Sequence, residues 1–317
     1  ILSWLIVAYP MRQETEKYNV LTLPEYFEKK FNDGSGIIRL LSSLIITFFF
    51  TFYVAAQFSG AGKVLNVTFG MTQMQGMILV AVIIIFYTLM GGFLAVAWTD
   101  LIQGIIMIGT LVILPLVGWI QLSGIESVNT LDWTTLYGNK TGSAALVTAI
   151  GGLSWGLGYI GQPHLIARYM AIDKSENIAV SRKIAYAWAV PAFIGSLFIG
   201  LIGSGLIEQG LLSLEGNTIN SIGDLPDLEM LMPIMAKSLL PAWLAGIFIS
   251  GAIAAMMSTA DSELLVSTTV LTEDITRKYF QQDSSDKQML LIGRIFTIII
   301  GIIAFYMAWQ SKELVFE

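Results

Sequence analysis

Seven uninterrupted apolar runs, at roughly 37–65, 74–95, 97–122, 143–170, 179–208, 241–272 and 288–309, decide what this chain can fold into. Crossing the hydrocarbon layer takes about 20 apolar residues in helical form. Lipid offers no partner to exposed backbone groups, so runs of this kind pair their own amides and carbonyls as helices. Composition agrees, with 55% of residues hydrophobic and 13% charged, about half the charged share of a soluble domain. The reading is an all-α integral membrane protein, one transmembrane domain over residues 1–317. The net charge of −6 constrains little, because membranes sort Lys and Arg by loop rather than by total. The absence of cysteine removes disulfides and thiol chemistry. A single histidine and no dense carboxylate cluster argue against a metalloenzyme or a His-based hydrolase.

The chain opens at Ile1 inside an apolar run and closes in Lys312-Glu-Leu-Val-Phe-Glu317 just after another, which reads as the middle of a longer protein. Residues 1–9 read as the tail of a helix that Pro10 stops. A polar loop is expected from Met11 to about Ser35, with Pro24 at the start of a short helix and Thr22 as its cap. The connection from Gln209 to Leu240 is long, with short interfacial helices expected in its second half. Of the 17 basic residues, 13 fall on alternate connections, among them Arg12, Lys30, Arg168, Arg182, Arg277 and Lys278. Lys63, Lys140, Lys237 and Lys312 fall on the others. This asymmetry places the loop 11–36 in the cytoplasm and the connection 209–240 outside.

Two spans carry unusual chemistry. In the run from Pro241, the residues Gly251, Ala255, Ser258, Ser262 and Thr269 share one narrow helical face, flanked by Thr259 and Asp261. Small residues admit a neighbouring helix, and hydroxyls in lipid need partners, so packing with back-bonded hydroxyls is one reading. The other is a cation site, since hydroxyl and carbonyl oxygens suit a hard monovalent cation. Asp261 lies well inside this span and is costly there unless paired or functional. In the span 143–170, Gly151-Gly-Leu-Ser-Trp-Gly-Leu-Gly-Tyr-Ile-Gly-Gln-Pro163 holds five glycines and a proline. That predicts an unwound segment at its centre, the commonest sequence pointer to a transporter's binding site.

Trp155 and Tyr159 are four residues apart and project to one side if that turn stays helical. Tyr53 and Gln57, one turn apart, are the main polar groups of an otherwise apolar span; interhelical bonding and solute contact both remain open for them. Asp100 reads as an acid at the N-terminus of span 97–122, where the helix dipole favours it. His164 reads as a satisfied structural histidine, and Arg168, Arg182, Lys183, Arg277 and Lys278 as ordinary positive-inside residues.

Together, Leu21-Thr-Leu-Pro-Glu-Tyr-Phe27, Gly91-Gly-Phe-Leu-Ala-Val-Ala-Trp-Thr-Asp100, Trp155-Gly-Leu-Gly-Tyr-Ile-Gly-Gln-Pro-His164 and Ala254-Ala-Met-Met-Ser-Thr-Ala-Asp-Ser262 resemble the sodium/solute symporter family. Within it the likeness is nearest to bacterial sodium/proline symporters, and it runs over essentially the whole chain. The resemblance implies a leucine-transporter-type fold of two inverted five-helix repeats, truncated here at both ends, with solute and sodium near the bilayer midplane. Span 143–170 would be the broken first helix of the second repeat. Ala255, Ser258 and Thr259 would supply half of the sodium site, and Tyr53, Trp155 and Tyr159, with Gln57 nearby, the solute contacts. Asp100 and a hydroxyl near Ser262 match a second cation position, where Asp261 stands in place of a neutral residue.

The expected function is sodium-coupled import of a small amino acid, above all proline, by alternating access. It needs no enzyme chemistry and no cofactor beyond sodium as the coupling ion. The expected partners are solute, sodium and lipid, not nucleic acid, with oligomeric state open. A same-family symporter for a sugar, sialic acid, pantothenate or a carboxylate is the alternative, as is a transporter-like sensor module of a signalling protein.

Overall fold

The apolar runs fold as helices, and the computed structural model describes residues 2–122, 141–214, 216–225 and 227–310, with the backbone alone at Trp155. The chain starts with α1 (Leu2–Ile6) and α2 (Ala8–Tyr18). Pro10 is the third residue of α2 and does not end the helix, which corrects the expected stop. Amides of a first turn have no intrahelical acceptor, so the missing proline N–H is not felt there. Next comes α3 (Leu23–Lys30), with Pro24 in its first turn and Thr22 Oγ1 accepting from the Glu25 amide at 3.2 Å. The stretch expected as a polar loop is therefore mostly two short helices.

The long elements follow. α4 covers Ile37–Phe69 and α5 covers Gln73–Gln121, the latter started by a reciprocal capping box of Thr72 and Gln75. α5 breaks at Gly92, whose φ of 54° and ψ of −154° are open to glycine alone. Its 49 residues would reach about 73 Å as one rod, more than twice the hydrocarbon thickness. The halves on either side of Gly92 are thus separate passes, matching spans 74–95 and 97–122. α6 (Gly142–Tyr159), α7 (Pro163–Met170) and α8 (Ile178–Glu208) come next. A small hairpin of β1 (Ser213–Leu214) and β2 (Asn217–Thr218) pairs Ser213 with Thr218 and Leu214 with Asn217. It leads into α9 (Leu231–Leu239), one of the short helices expected in this connection. α10 (Ala242–Thr269) continues as wider π-type turns over Val270–Phe280, and α11 (Asp286–Gln310) closes the described chain. Among the described residues, six helical stretches are long and apolar enough to cross a membrane.

α10 is the pillar of the packing. Val64 clusters with Phe248 and Ile249, Phe58 with Ala260 and Leu264, and Phe50 with Val270, so α4 runs antiparallel along it. The second half of α5 lies on its other side. A Cβ on Gly251 would meet Thr110 Oγ1 at 2.3 Å, and that hydroxyl donates to the Phe248 carbonyl at 3.1 Å. The small residues of α10 thus admit a close neighbour, as expected from the sequence. α8 crosses α5 more tightly still, because a Cβ on Gly195 would stand 1.9 Å from the Leu111 carbonyl oxygen. Backbone cannot yield there. Gly195→Val is expected to lose about 1–3 kcal/mol of stability by overpacking, read as earlier thermal unfolding in detergent. Gly200→Val, facing open space, should unfold close to wild type.

Candidate functional site

The hydroxyl face of α10 forms as the sequence pattern predicts. Ser258 Oγ and Thr259 Oγ1 both donate to the Ala255 carbonyl, at 3.1 and 3.0 Å, and Ser262 Oγ donates to the Ser258 carbonyl at 2.8 Å. Back-bonding is therefore present, but it does not exclude the cation reading. A hydroxyl that donates its proton to a carbonyl keeps its lone pairs for another ligand. Ala255, Ser258 and Thr259 are each half-buried, so these oxygens are not sealed by packing.

One turn further on lies a charged group. Arg168 of α7 sets Nη2 2.5 Å from Asp100 Oδ2 and 2.5 Å from Ser262 Oγ. Asp261 is fully buried; its Oδ2 accepts from the Tyr87 hydroxyl at 2.7 Å and its Oδ1 lies 3.1 Å from Ser262 Oγ. Asp100 and Ser262 are thus brought together on Arg168, with Asp261 beside Ser262. Two expectations are corrected. Asp100 stands eight residues beyond the Gly92 break, past the first turn where a helix dipole acts, and its partner is a guanidinium. Arg168 is not an idle positive-inside residue but the cation of this group. Tyr87 was not singled out in the sequence, although a tyrosine in a greasy span always needs a partner.

The span is broken, at the far end of the stretch 151–163 where the glycines and proline predict it. α6 stays helical through Gly151, Gly152, Gly156 and Gly158, and the chain turns at 160–162 before Pro163 opens α7. Proline disfavours helical geometry in the residue before it, and Gln162 is extended at ψ 118°. Tyr159 therefore ends the half-helix at the break, one helical turn after Trp155, whose side chain lies outside the described residues. His164, just past the break, leaves its Nδ1 without a partner among the described residues and packs its ring on Phe50 at 5.8 Å. This corrects the satisfied-histidine expectation.

Of the other solute candidates, Gln57 is buried and Tyr53 half-buried on α4. The Tyr53 hydroxyl on α4 feels the charge of Glu263 on α10 and, more weakly, Tyr159 at the end of α6; α6 itself is largely exposed among the described residues. Glu263 escaped the sequence reading. Its signal was the same as that of Asp261: an ionisable residue deep in a span.

Beneath the charged group, a cavity of about 510 Å³ is lined by Thr22, Pro24, Asp100, His164, Arg168 and Glu273, among others. Its far rim is tied by ion pairs. Arg39 Nε meets Asp274 Oδ1 at 2.7 Å, Thr22 Oγ1 donates to the same oxygen at 2.7 Å, and Glu28 pairs with Lys278. Burial raises the Glu28 carboxyl, but hydrogen bonds from Lys278 and Arg39 outweigh it and hold the group below the ordinary carboxylate range. At the opposite end of α4, Lys63 lies 2.6 Å from both Asp227 and Glu229, fastening the 209–240 connection to the helix.

Comparison with known proteins places the chain in a family. The chain is 34% identical over 316 residues to the high-affinity proline transporter PutP of Bacillus subtilis, covering 98% of this chain and 64% of that one. It is 33% identical over 315 residues to the sodium/proline symporter of Escherichia coli, covering 98% and 61%. The chain spans about three fifths of the length of the curated relatives it matches. A solved Na+-coupled sialic acid symporter, in a substrate-bound outward-open state, superposes with a TM-score of 0.76 at 22% identity, over 97% of this chain and 66% of that one. That likeness carries the fold, which is the leucine-transporter-type architecture implied by the sequence motifs. The model of the sodium:solute symporter family matches residues 1–317, and the chain belongs to that family.

Proposed function

We propose that this chain is the transport domain, over residues 1–317, of a symporter that couples sodium entry to import of a small amino acid, proline first. What carries the reading is the family match over the whole chain, with relatives named as proline transporters aligned to nearly all of it. Sodium is bound in part by the Ala255 carbonyl and the Ser258 and Thr259 hydroxyls. Solute is held at the α6–α7 break by Trp155 and Tyr159, with Tyr53 and Gln57 across from them. Asp100, Asp261 and Ser262 form a second cation or gating position, in which Arg168 serves as a tethered cation. The loop 11–36 faces the cytoplasm and the connection 209–240 faces outward.

The mechanism is linkage. Sodium on α10 stabilises the arrangement of α4, α6 and α10 that holds solute, so each ligand raises the other's affinity by the same factor. Each sodium charge moving down the membrane potential supplies about 2.3 kcal/mol per 100 mV. Uptake follows from alternate exposure of the site, and no bond in the solute is made or broken.

The test is radiolabelled proline uptake into proteoliposomes of the intact transporter, with and without an inward sodium gradient. Accumulation above equilibrium only with the gradient is the expected result. Sodium-driven uptake of sialic acid, a sugar or pantothenate with proline ignored would keep the family and replace the solute. Proline uptake indifferent to sodium would remove the coupling.

A further inference from the structure

Glu263 is wholly buried on α10, and neither of its carboxyl oxygens has a hydrogen-bond partner among the described residues. A carboxylate in that state is strongly unfavourable until a donor or a positive charge reaches it. Its charged neighbours do not meet the need. Arg168 spends its guanidinium on Asp100 and Ser262, and Asp261 is itself an acid, held by Tyr87. The Tyr53 hydroxyl is a further electrostatic neighbour, and Tyr159 acts on that same hydroxyl.

The surroundings form a seam rather than a point. Thr259, Glu263 and Ser267 recur every four residues and share one face of α10, turned about 100° to 180° from Ser258. Among the described residues the buried Ser267 hydroxyl has no partner, and neither does Thr47 Oγ1 on α4. The antiparallel register sets Glu263 level with residues 55–57, about one helical turn from Tyr53, because Phe50 packs on Val270 and Phe58 clusters with Ala260. From Ser258 through Thr259 to Glu263, α10 thus turns from neutral oxygens to an unpaired carboxylate within about one turn of Tyr53.

We propose that Glu263 is the counter-ion for a cationic nitrogen on the solute, and so a specificity-determining residue. This rests on the reading that Tyr53 and Tyr159 line the solute pocket. The substrate class it selects is amino acids and cyclic imino acids whose nitrogen is protonated. An ammonium donates charge-assisted hydrogen bonds to the carboxylate and neutralises it in one contact. A solute with oxygen in place of that nitrogen leaves the buried carboxylate unpaired and is rejected.

The experiment is sodium-driven proline uptake by the intact transporter in proteoliposomes, with two competitors. Azetidine-2-carboxylic acid keeps the ring nitrogen, whereas tetrahydrofuran-2-carboxylic acid replaces it with oxygen. The nitrogen compound should compete and the oxygen compound should be weaker by about a hundredfold or more. Glu263→Gln should raise the KM for proline by about tenfold to a hundredfold, narrow the gap between the competitors, and leave half-saturation by sodium unchanged when wild type and variant are each measured at saturating proline. Equal competition by both compounds against wild type would overturn the inference, even if the variant fails to fold. So would a Glu263→Gln transporter with altered sodium half-saturation and an unchanged KM for proline. Sodium-driven uptake of sialic acid with proline ignored would overturn this inference and the solute assignment together. Normal proline uptake with no discrimination against the oxygen ring would overturn this inference alone.

Discussion

Ser258→Ala combined with Thr259→Ala is expected to abolish sodium-driven uptake while leaving a folded transporter. The two hydroxyls donate to the same carbonyl, that of Ala255, at 3.1 and 3.0 Å. Removing them leaves no buried donor stranded, since back-bonded hydroxyls add little to helix stability. On the proposed sodium site, what is lost is two oxygen ligands at a half-buried position. At about 1.5–3 kcal/mol for each oxygen facing a charge, sodium affinity should fall by about a hundredfold or more. Uptake at ordinary sodium would vanish, with thermal unfolding near that of wild type. A double variant with wild-type sodium half-saturation would reduce this face to helix packing.

The second large effect concerns Arg168 and Asp100. Their contact at 2.5 Å joins α7, just past the broken helix, to the second half of α5, and Ser262 Oγ extends the link to α10. Removing one partner of a buried pair leaves an uncompensated charge, which costs about 3–5 kcal/mol in dry interiors. Here the Arg168 side chain is 37% exposed, so about 1–3 kcal/mol is the reasonable scale. Arg168→Gln and Asp100→Asn should each slow uptake by about tenfold to a hundredfold. Arg168→Gln should be the worse, because it leaves Asp100 beside Asp261 with no cation. The double variant should be no slower than Arg168→Gln alone, giving a coupling that initial rates measure directly. Fully additive losses would show that the pair does not act as a unit.

Much of the fold was legible because membrane spans announce themselves by length alone. The finer local structure was not. Pro10 looked like a stop because its place in the first turn of α2 depends on where that helix begins. The glycines of α6 looked like the break, yet helical geometry tolerates them, and it is Pro163 that ends the path. At the site, the hydroxyls of α10 were readable because they repeat within one helix. Their charged company was not. Tyr87 reaches Asp261 across 174 residues and Arg168 reaches Asp100 across 68, and such pairings follow from helix packing, which periodicity does not encode. Glu263 was visible as a charge in a span, but only the fold shows that both its oxygens lack a partner among the described residues.

The central claim is that sodium and proline bind as a coupled pair, and equilibrium binding tests it most directly. Proline affinity of the purified intact transporter would be titrated at negligible and at saturating sodium. Sodium affinity would be titrated with and without proline. The account predicts that each ligand tightens the other by one and the same factor, on the order of 5- to 150-fold. Proline affinity that does not change with sodium would contradict it.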